Sequence, residues 1–166
     1  MKRIGLLSDT HGFLNPKIWE YFQECDEIWH AGDIGTIEAA DDLEKFRPLR
    51  AVYGNIDGKD LRVRYPEDLF FTLGGVRVYM THIGGYPPRY NPRVRKIIQQ
   101  EKPDLFIDGH SHILKIMRDP GLPNLLHINP GAAGKQGFHK ISTLVRFSLE
   151  AGRISDLQVI ELGKRA

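Results

Sequence analysis

The stretch Ile4-Gly5-Leu6-Leu7-Ser8-Asp9-Thr10-His11, near the start of the chain, is the segment that decides the fold. It begins as a short apolar run and ends in polar residues, which predicts a buried strand followed by a loop. The same arrangement recurs twice in the first third of the chain. A short strand over 27–31 ends at Gly32-Asp33, and another over 49–53 is closed by Gly54-Asn55.

Helix-like segments separate these three strands. One opens at Asn15-Pro16 and carries apolar residues on roughly one face, and a second spans 37–46. A strand-helix-strand-helix-strand pattern implies parallel strands joined by right-handed crossovers. The first third of the chain therefore predicts an α/β fold.

The remainder of the chain predicts further strands and one more helix. A hairpin turns at Gly74-Gly75, a glycine- and proline-rich loop comes after it, and a helix ends before Pro103. The predicted elements are strands over 68–73 and 76–81, a loop over 84–92, a helix over 94–100, a strand over 105–108, and strands over about 114–118, 125–128, 142–148 and 154–161, with turns at 121–124 and 150–152. The length of 166 residues, without a repeat or linker, predicts one domain over 1–166.

Composition excludes several classes of protein. Hydrophobic residues make up 41% and charged residues 27%, and the net charge of +2 is too weak to predict nucleic-acid or membrane binding. Neither a signal peptide nor an apolar run of about 18 residues occurs. Cys25 is the only cysteine, so no disulfide forms within the chain and a reducing, cytoplasmic location is expected.

Polar residues follow the predicted strands at five separate places. Because the carboxyl ends of parallel strands lie along one edge of a sheet, these side chains are expected to meet there. A separation of two residues in extended chain makes Asp9 and His11, and likewise His110 and His112, point the same way. Glycines before Asp33, Asn55 and His110 allow a sharp turn or a close approach to a ligand. The predicted set is Asp9, His11, Asp33, Asn55, His82, His110 and His112.

Imidazole and carboxylate groups of this kind suit manganese, nickel, iron or zinc, and a lone cysteine excludes a thiolate site. Seven donors are too many for one tetrahedral ion. They suffice for two ions about 3.5–4 Å apart that share a carboxylate. Such a pair lowers the pKa of a bridging water, so that hydroxide attacks phosphorus without a serine, cysteine or threonine nucleophile.

Other histidines, the cysteine and a basic cluster are interpreted as core, structural or surface residues rather than as metal donors. His30 lies inside a strand, which favours a hydrogen-bonded core position over ligation, and His127 and His139 are expected to be structural or surface residues. Cys25 is expected in the core. The basic cluster of Arg89, Arg93, Arg95 and Lys96 is interpreted as a solvated helix start, with phosphate contact as the alternative.

The five blocks Asp-x-His, Gly-Asp, Gly-Asn, His and Gly-His-x-His occur in order from Asp9 to His112. In this the sequence resembles the calcineurin-like metallophosphoesterase superfamily, and within it the small bacterial and archaeal phosphodiesterases of the YfcE type. The stretch from His127 to Gly131 is similar to the same branch, with Ala132 where its members carry serine. The resemblance covers nearly the whole chain.

The resemblance implies two facing mixed β-sheets flanked by helices, an αββα sandwich. It also implies that Asp9, His11 and His112 bind one divalent metal, that Asn55, His82 and His110 bind the other, and that Asp33 bridges them. Manganese is the favoured occupant, with nickel, iron and zinc as alternatives. We expect Asp33 and Asn55 to serve catalysis through these ions.

One position departs from the family pattern. Many members have a histidine after Gly-Asn that stabilises the transition state or protonates the leaving group, whereas this chain has Ile56. Removing a general acid typically costs about 10²–10⁴ in rate, which matters least for a good leaving group. By analogy, Asp57 is expected to hydrogen-bond a ligand or to orient the site.

The predicted function is therefore hydrolysis of a small phosphodiester. The alternatives are a catalytically weak scaffold or binding protein with the same fold, and a phosphomonoesterase, which Ile56 disfavours. An apolar hairpin edge can pair between subunits, so a homo-oligomer is compatible with the sequence.

Overall fold

Two five-stranded sheets form the centre of the computed structural model, which describes residues 1–164. In chain order the elements are β1 (Lys2–Leu7), α1 (Lys17–Tyr21), β2 (Glu27–His30), α2 (Ile37–Phe46), β3 (Leu49–Ala51), α3 (Lys59–Arg64), β4 (Asp68–Leu73), β5 (Val76–Thr81), β6 (Gly85–Tyr86), β7 (Arg89–Tyr90), α4 (Pro92–Glu101), β8 (Leu105–Ile107), β9 (Leu114–Asp119), β10 (Leu122–Pro130), β11 (Ile141–Glu150) and β12 (Arg153–Lys164).

Both sheets are mixed, and each contains three adjacent parallel strands. The first has the order β12-β11-β1-β2-β3, in which β1, β2 and β3 are parallel. The second has the order β4-β5-β8-β10-β9, in which β5, β8 and β10 are parallel. The parallel strands align their carboxyl ends, so the loops that come after β1, β2 and β3 leave the first sheet at one edge.

The main core lies between the sheets. Alternate residues along each strand point into it, such as Ile4 and Leu6 from β1 and Val78 and Met80 from β5. Trp29 is fully buried there and makes edge-on ring contacts with Phe71 from the second sheet and with a phenylalanine of β11. Apolar burial of this kind is the main force that holds the two sheets together.

Helices cover the outer faces of the sandwich. Ile18 and Leu43, from α1 and α2, pack with Leu7 and Ile28 on the outside of the first sheet. Val94 and Ile98 of α4 pack with residues of β5 and β8 on the outside of the second. The predicted fold class, two facing mixed sheets flanked by helices, is confirmed.

The structure also adds elements that the sequence did not predict. Helix α3 falls in a stretch of six mostly charged residues of which only Leu61 is buried, so its amphipathic pattern is too short to recognise. The loop predicted over 84–92 contains the short hairpin β6-β7. Strand β10 begins within the predicted turn at 121–124, and α1 ends before Phe22 and Cys25, which are buried beyond it.

Among residues 1–164, no helix combines the length and apolar character needed to cross a membrane.

The position of Trp29 between the sheets generates a stability prediction. Replacing Trp29 with alanine is expected to lower the free energy of unfolding by about 3–5 kcal/mol, because it leaves a cavity in the main core. Chemical denaturation would measure the loss. Trp19→Ala is the matched control, since Trp19 is only half-buried against Phe46 on an outer face and should cost clearly less. Equal losses for the two variants would contradict the assigned core.

Candidate metal centre

The seven predicted donors meet at one place, where loops from both sheets come together. Asp33, just after β2, brings its Oδ2 atom 3.5 Å from His11 Nε2 and 3.2 Å from His82 Nε2. His11 lies in the loop after β1 of the first sheet, and His82 directly follows β5 of the second. The Asp33 carboxylate therefore lies between imidazoles that reach it from opposite sheets.

The other donors surround this carboxylate. Asp9 Oδ1 lies 3.2 Å from His112 Nε2 and 3.8 Å from His82 Nε2. Asn55 Oδ1 lies 3.0 Å from His82 Nε2 and 3.1 Å from His110 Nδ1. Two groups have donor atoms that all lie within 4.8 Å of one another: Asp9, His11 and His112, and Asp9, Asp33 and His82. Residues far apart in sequence thus form one continuous cluster of metal-binding groups.

The backbone at this cluster is unusual. Five of the donors have a positive φ angle, a conformation that side chains other than glycine rarely adopt; they are Asp9 (54°), His11 (48°), Asp33 (56°), His110 (70°) and His112 (63°). The paired donors therefore do not converge through an extended chain, as the spacing of two residues suggested, but through left-handed turns. Such turns cost about 1–3 kcal/mol each and concentrate at functional sites.

Close packing explains two of the glycines that precede donors. A Cβ atom at Gly54 would overlap the carboxylate and backbone of Asp33, and one at Gly109 would overlap Ser8 Oγ. A larger residue at either position would push two donor-bearing loops apart. The close approach that the structure shows is to neighbouring loops of the protein, whereas the sequence suggested a sharp turn or a close approach to a ligand.

Two atoms at the cluster are buried without a hydrogen bond. They are Asp9 Oδ1 and His11 Nε2, and in the described part of the chain only one other buried side-chain atom shares this condition. An unpaired buried polar group costs about 1–3 kcal/mol, so it needs a specific reason. A divalent cation bound between these atoms would supply their missing partner, and the imidazole and carboxylate chemistry fits such an ion.

The electrostatics of the cluster favour a bound cation. Burial alone would raise the pKa of Asp33, but the hydrogen bond and charge of His82 and the Ile56 N–H hold it below its usual value. Burial alone would lower the pKa of His82, but Asp33 and Asp9 raise it. Burial lowers the pKa of His110, helped by the neighbouring His82. The site therefore keeps the Asp33 carboxylate ionised and attracts positive charge.

Contacts behind the imidazoles set their orientation. His82 Nδ1 lies 2.7 Å from the Ala31 carbonyl and donates to it, so Nε2, on the Asp33 side of the ring, is the nitrogen that would bind an ion. His139 Nε2 donates to the Gly134 carbonyl at 2.9 Å, so its Nδ1 atom can accept a hydrogen bond from His112 Nδ1 at 3.3 Å. The lone pair of His112 Nε2 then faces Asp9. Such contacts fix the tautomer that binds a metal.

Asp57 is buried behind the cluster, where its side chain contacts the backbone of the loops that carry the donors. Its buried carboxylate accepts hydrogen bonds from the backbone N–H groups of Ile34 (3.1 Å), Gly35 (2.8 Å) and Gly54 (2.8 Å). These bonds connect the loop of Asp33 with the loop of Asn55. Of the two roles expected for Asp57, the geometry favours orientation of the site over contact with a ligand.

Three other residues considered in the sequence, His30, His127 and Cys25, are buried in the structure. His30 is fully buried, bonds Thr10 Oγ1 and the Gly32 N–H, and has its pKa lowered to about 4 by burial, so it is a neutral core residue as expected. His127 is also buried and pairs with Asp108 at 2.7 Å. The core position of Cys25 is confirmed.

His139 was not recognised from the sequence as part of the site. It lies 27 residues after His112 and outside every strand-end motif, so only the folded loop brings it to the donors. The sequence led only to the expectation of a structural or surface residue, and the contact with His112 adds a position directly behind a candidate metal donor.

An αββα sandwich with carboxylates, an amide and imidazoles gathered at its strand ends defines a metal-dependent hydrolase. The model of the calcineurin-like phosphoesterase superfamily domain matches residues 1–152. The chain belongs to this superfamily, and it is a metal-binding phosphoesterase.

Known proteins are similar to this chain in sequence or in structure. A probable metallophosphoesterase of Methanothermobacter thermautotrophicus is 28% identical over 134 residues, which cover 78% of this chain and 76% of the relative. A structure described as a novel archaeal phosphodiesterase superposes with a TM-score of 0.77 at 23% identity, covering 96% of this chain and 99% of that one. Vps29 of Chaetomium thermophilum has a TM-score of 0.76 at 14% identity over the full length of both chains. The two structures show the shared fold.

The contact between His112 and His139 generates a prediction about metal affinity. Replacing His139 with alanine is expected to weaken binding of Mn²⁺ by about 10–100-fold, because His112 loses the partner that fixes its tautomer. Calorimetric titration of metal-free protein would measure the change. Phe138→Ala is the control, since Phe138 is fully exposed in the same loop and should leave affinity unchanged. Unaltered affinity in the His139 variant would remove its assigned role.

Proposed function

We propose that the chain hydrolyses small phosphodiesters at a centre that holds two divalent metal ions. The observation that carries the proposal is the position of Asp33 Oδ2, 3.5 Å from His11 Nε2 and 3.2 Å from His82 Nε2. A carboxylate oxygen placed between two imidazoles from opposite sheets is suited to bridge two ions.

The donors divide into two sets around this bridge. Asp9, His11 and His112 would hold one ion, and Asn55, His82 and His110 would hold the other. Asp9 Oδ1 is the less suitable bridge, because it is 3.2 Å from His112 but 3.8 Å from His82. The Oδ2 atom of Asp9 is already engaged by Ser8 Oγ at 2.6 Å and by the His110 N–H at 3.1 Å.

The ions, when bound, would supply Lewis acidity toward the phosphate oxygens and hydroxide at neutral pH. The residues of the chain supply the rest. Asp33 stays ionised, because its pKa is held below the usual value by His82 and the Ile56 N–H even though burial opposes this. Asp57 holds the Asp33 and Asn55 loops in register through its three backbone contacts.

Preference for a diester is argued from the side chain after Asn55. Ile56 is 47% exposed beside the centre, and its side chain carries no proton to give to a leaving group. A phenolate leaves without protonation, whereas an alkoxide does not, so activated diesters are the favoured substrates. Its backbone N–H is engaged by Asp33 Oδ1 at 3.0 Å.

Manganese remains the favoured ion, with nickel, iron and zinc as alternatives. The oxygen and imidazole donors, without a thiolate, suit all four ions and do not separate them. We further propose that the chain acts in the cytoplasm and that residues 1–166 form one domain. Self-association through a strand edge, such as that of β4, stays a prediction.

Asp33→Asn is the decisive variant for this function. An amide is a poorer bridge than a carboxylate, so both metal content and hydrolysis of bis(p-nitrophenyl) phosphate are expected to fall, the rate by about 10²-fold or more. Elemental analysis and a colorimetric assay with added Mn²⁺ would measure them. Asp42→Asn, on the exposed face of α2, is the control and should retain both.

Two results would overturn the proposal. Full activity of the Asp33 variant would remove the bridging role. A wild-type protein that binds no metal and cleaves no phosphodiester would instead favour the alternative of a scaffold with this fold.

Ile56→His generates a prediction about substrate preference. If a missing acid limits the enzyme, hydrolysis of alkyl monoesters should rise, with general-acid catalysis typically worth about 10²–10⁴, whereas p-nitrophenyl phosphate, whose phenolate leaves without protonation, should change little. The gain should be largest below about pH 6.5 and fall above it, because a histidine loses its proton there. Ile56→Gln is the control, since it adds polarity without a comparable acid. Equal rates in both variants would mean that the surrounding cavity sets substrate choice.

A further inference from the structure

We propose that a cavity beside the metal centre is a nucleotide subsite, which binds the planar base and a second phosphate of a nucleoside phosphodiester. The proposal rests on the phosphodiesterase function proposed above and names the class of substrate. We call this cavity the Tyr86 cavity; it is lined by Ile83, Tyr86, Arg89, His110, Ile113 and Lys115, among others.

The Tyr86 cavity opens directly onto the site. Its volume is about 420 Å³, and its wall includes the metal-binding candidate His110 and its neighbour Ser111. Residues of the hairpin β6-β7 also line it. Cavities of about 300–1,000 Å³ are typical of small-molecule sites, so the space suits a single nucleoside unit rather than a long polymer.

Apolar side chains are unusually exposed around the Tyr86 cavity. Ile83 is 41% exposed, Tyr86 42% and Ile113 62%, although all three are large hydrophobic residues. A group of exposed apolar residues at one place marks a binding surface more often than a scattered one does. An aromatic ring with two isoleucines offers the flat, apolar contact that a nucleobase requires.

The same cavity carries two cations whose charge is not neutralised. Among residues 1–164, Arg89 makes no side-chain hydrogen bond or ion pair, and Lys115 Nζ contacts only the Tyr86 ring, 3.9 Å from its centroid. By contrast, the neighbouring Arg93 is paired with Asp68 at 2.6 Å and with Glu67 at 3.3 Å. Paired arginines stabilise the surface, whereas unpaired ones at a cavity attract an anion.

No exposed carboxylate opposes these cations within the cavity wall. The acidic residue there is Asp108, which is buried and hydrogen-bonded to His127 at 2.7 Å. The exposed side chains that line the Tyr86 cavity therefore carry a net positive charge. A phosphate oxygen is the common biological anion that arginine and lysine bind together.

The exposed apolar side chains and the unpaired cations of the Tyr86 cavity together indicate the class of substrate. The phosphate that is cleaved must reach the metal centre, so the cations of the cavity are available for a different anionic group. A nucleoside bisphosphate derivative offers a flat base, a diester and a second phosphate within one small molecule. In the reaction, oxygen from water bonds to phosphorus, the phosphorus–oxygen bond to the leaving group breaks, and the two protons go to the leaving group and the solvent.

A matched pair of chromogenic diesters tests the proposal. One is the p-nitrophenyl ester of thymidine 5′-phosphate, and the other carries an additional 3′-phosphate. We expect wild-type kcat/KM to be about tenfold higher with the 3′-phosphate. The double variant Arg89→Gln/Lys115→Gln should lose this preference and still cleave methyl p-nitrophenyl phosphate at the wild-type rate.

Two further variants separate the contributions. Lys96→Gln removes an exposed charge from the same basic region without changing the cavity wall, so the preference should persist. Tyr86→Ala should raise KM for both nucleoside esters and leave methyl p-nitrophenyl phosphate unaffected. Equal kcat/KM for the two nucleoside esters in wild-type protein would overturn the subsite, while cleavage of the methyl ester would leave the phosphodiesterase function intact.

Binding provides a readout that does not depend on catalysis. Calorimetry with thymidine 3′,5′-bisphosphate should show at least about tenfold weaker affinity in the double variant than in wild-type protein. If no diester were cleaved, the proposed function would fail and this measurement would still decide the subsite. Equal affinities for wild-type protein and the double variant would overturn it.

Discussion

The crowding of metal-binding groups at the strand ends is the constraint on which the rest of the structure depends. Asp9 Oδ1 and His11 Nε2 are buried without hydrogen bonds, and five donors adopt left-handed backbone conformations. Each of these features opposes folding in the absence of a bound ion, by about 1–3 kcal/mol apiece. Neither would persist in an isolated loop. They persist because the loops begin at strands whose positions are fixed by a core packed between two sheets.

The site also joins the two sheets. Asp9 and Asp33 come after strands of the first sheet, whereas His82 and His112 come after strands of the second, so their closest contacts cross the interface between sheets. An ion bound at these atoms would therefore favour the correctly assembled sandwich. Binding to the folded state alone adds stability that grows with ligand concentration, about 2.7 kcal/mol at 100 Kd. Catalytic geometry and fold stability would then depend on the same contacts.

The strands and the donors were predictable from the sequence for one reason. Short apolar runs such as 4–7 and 105–107 end abruptly at polar residues, and the loops that carry these residues meet along one edge of a parallel sheet. The features that could not be predicted depend on tertiary contacts. His139 reaches His112 only through the folded loop, and α3 has a single buried residue to signal it. The left-handed turns were hidden too, because aspartate and histidine do not indicate a positive φ as glycine does.

The fold can be retained by a protein with different chemistry at the site, since most of the core lies between the sheets and away from the strand-end loops. The similarity to Vps29 therefore shows the fold only, and the activity has to be inferred from the residues of the site. In this chain all seven donor positions are filled, and the groups behind them are also in place: the Ala31 carbonyl behind His82, and His139 behind His112. A centre that had lost its function would have no need for these outer contacts or for the strained turns. Their presence together in one chain supports the proposed metal centre, and under that proposal Ile56 would restrict the leaving groups that the centre can serve.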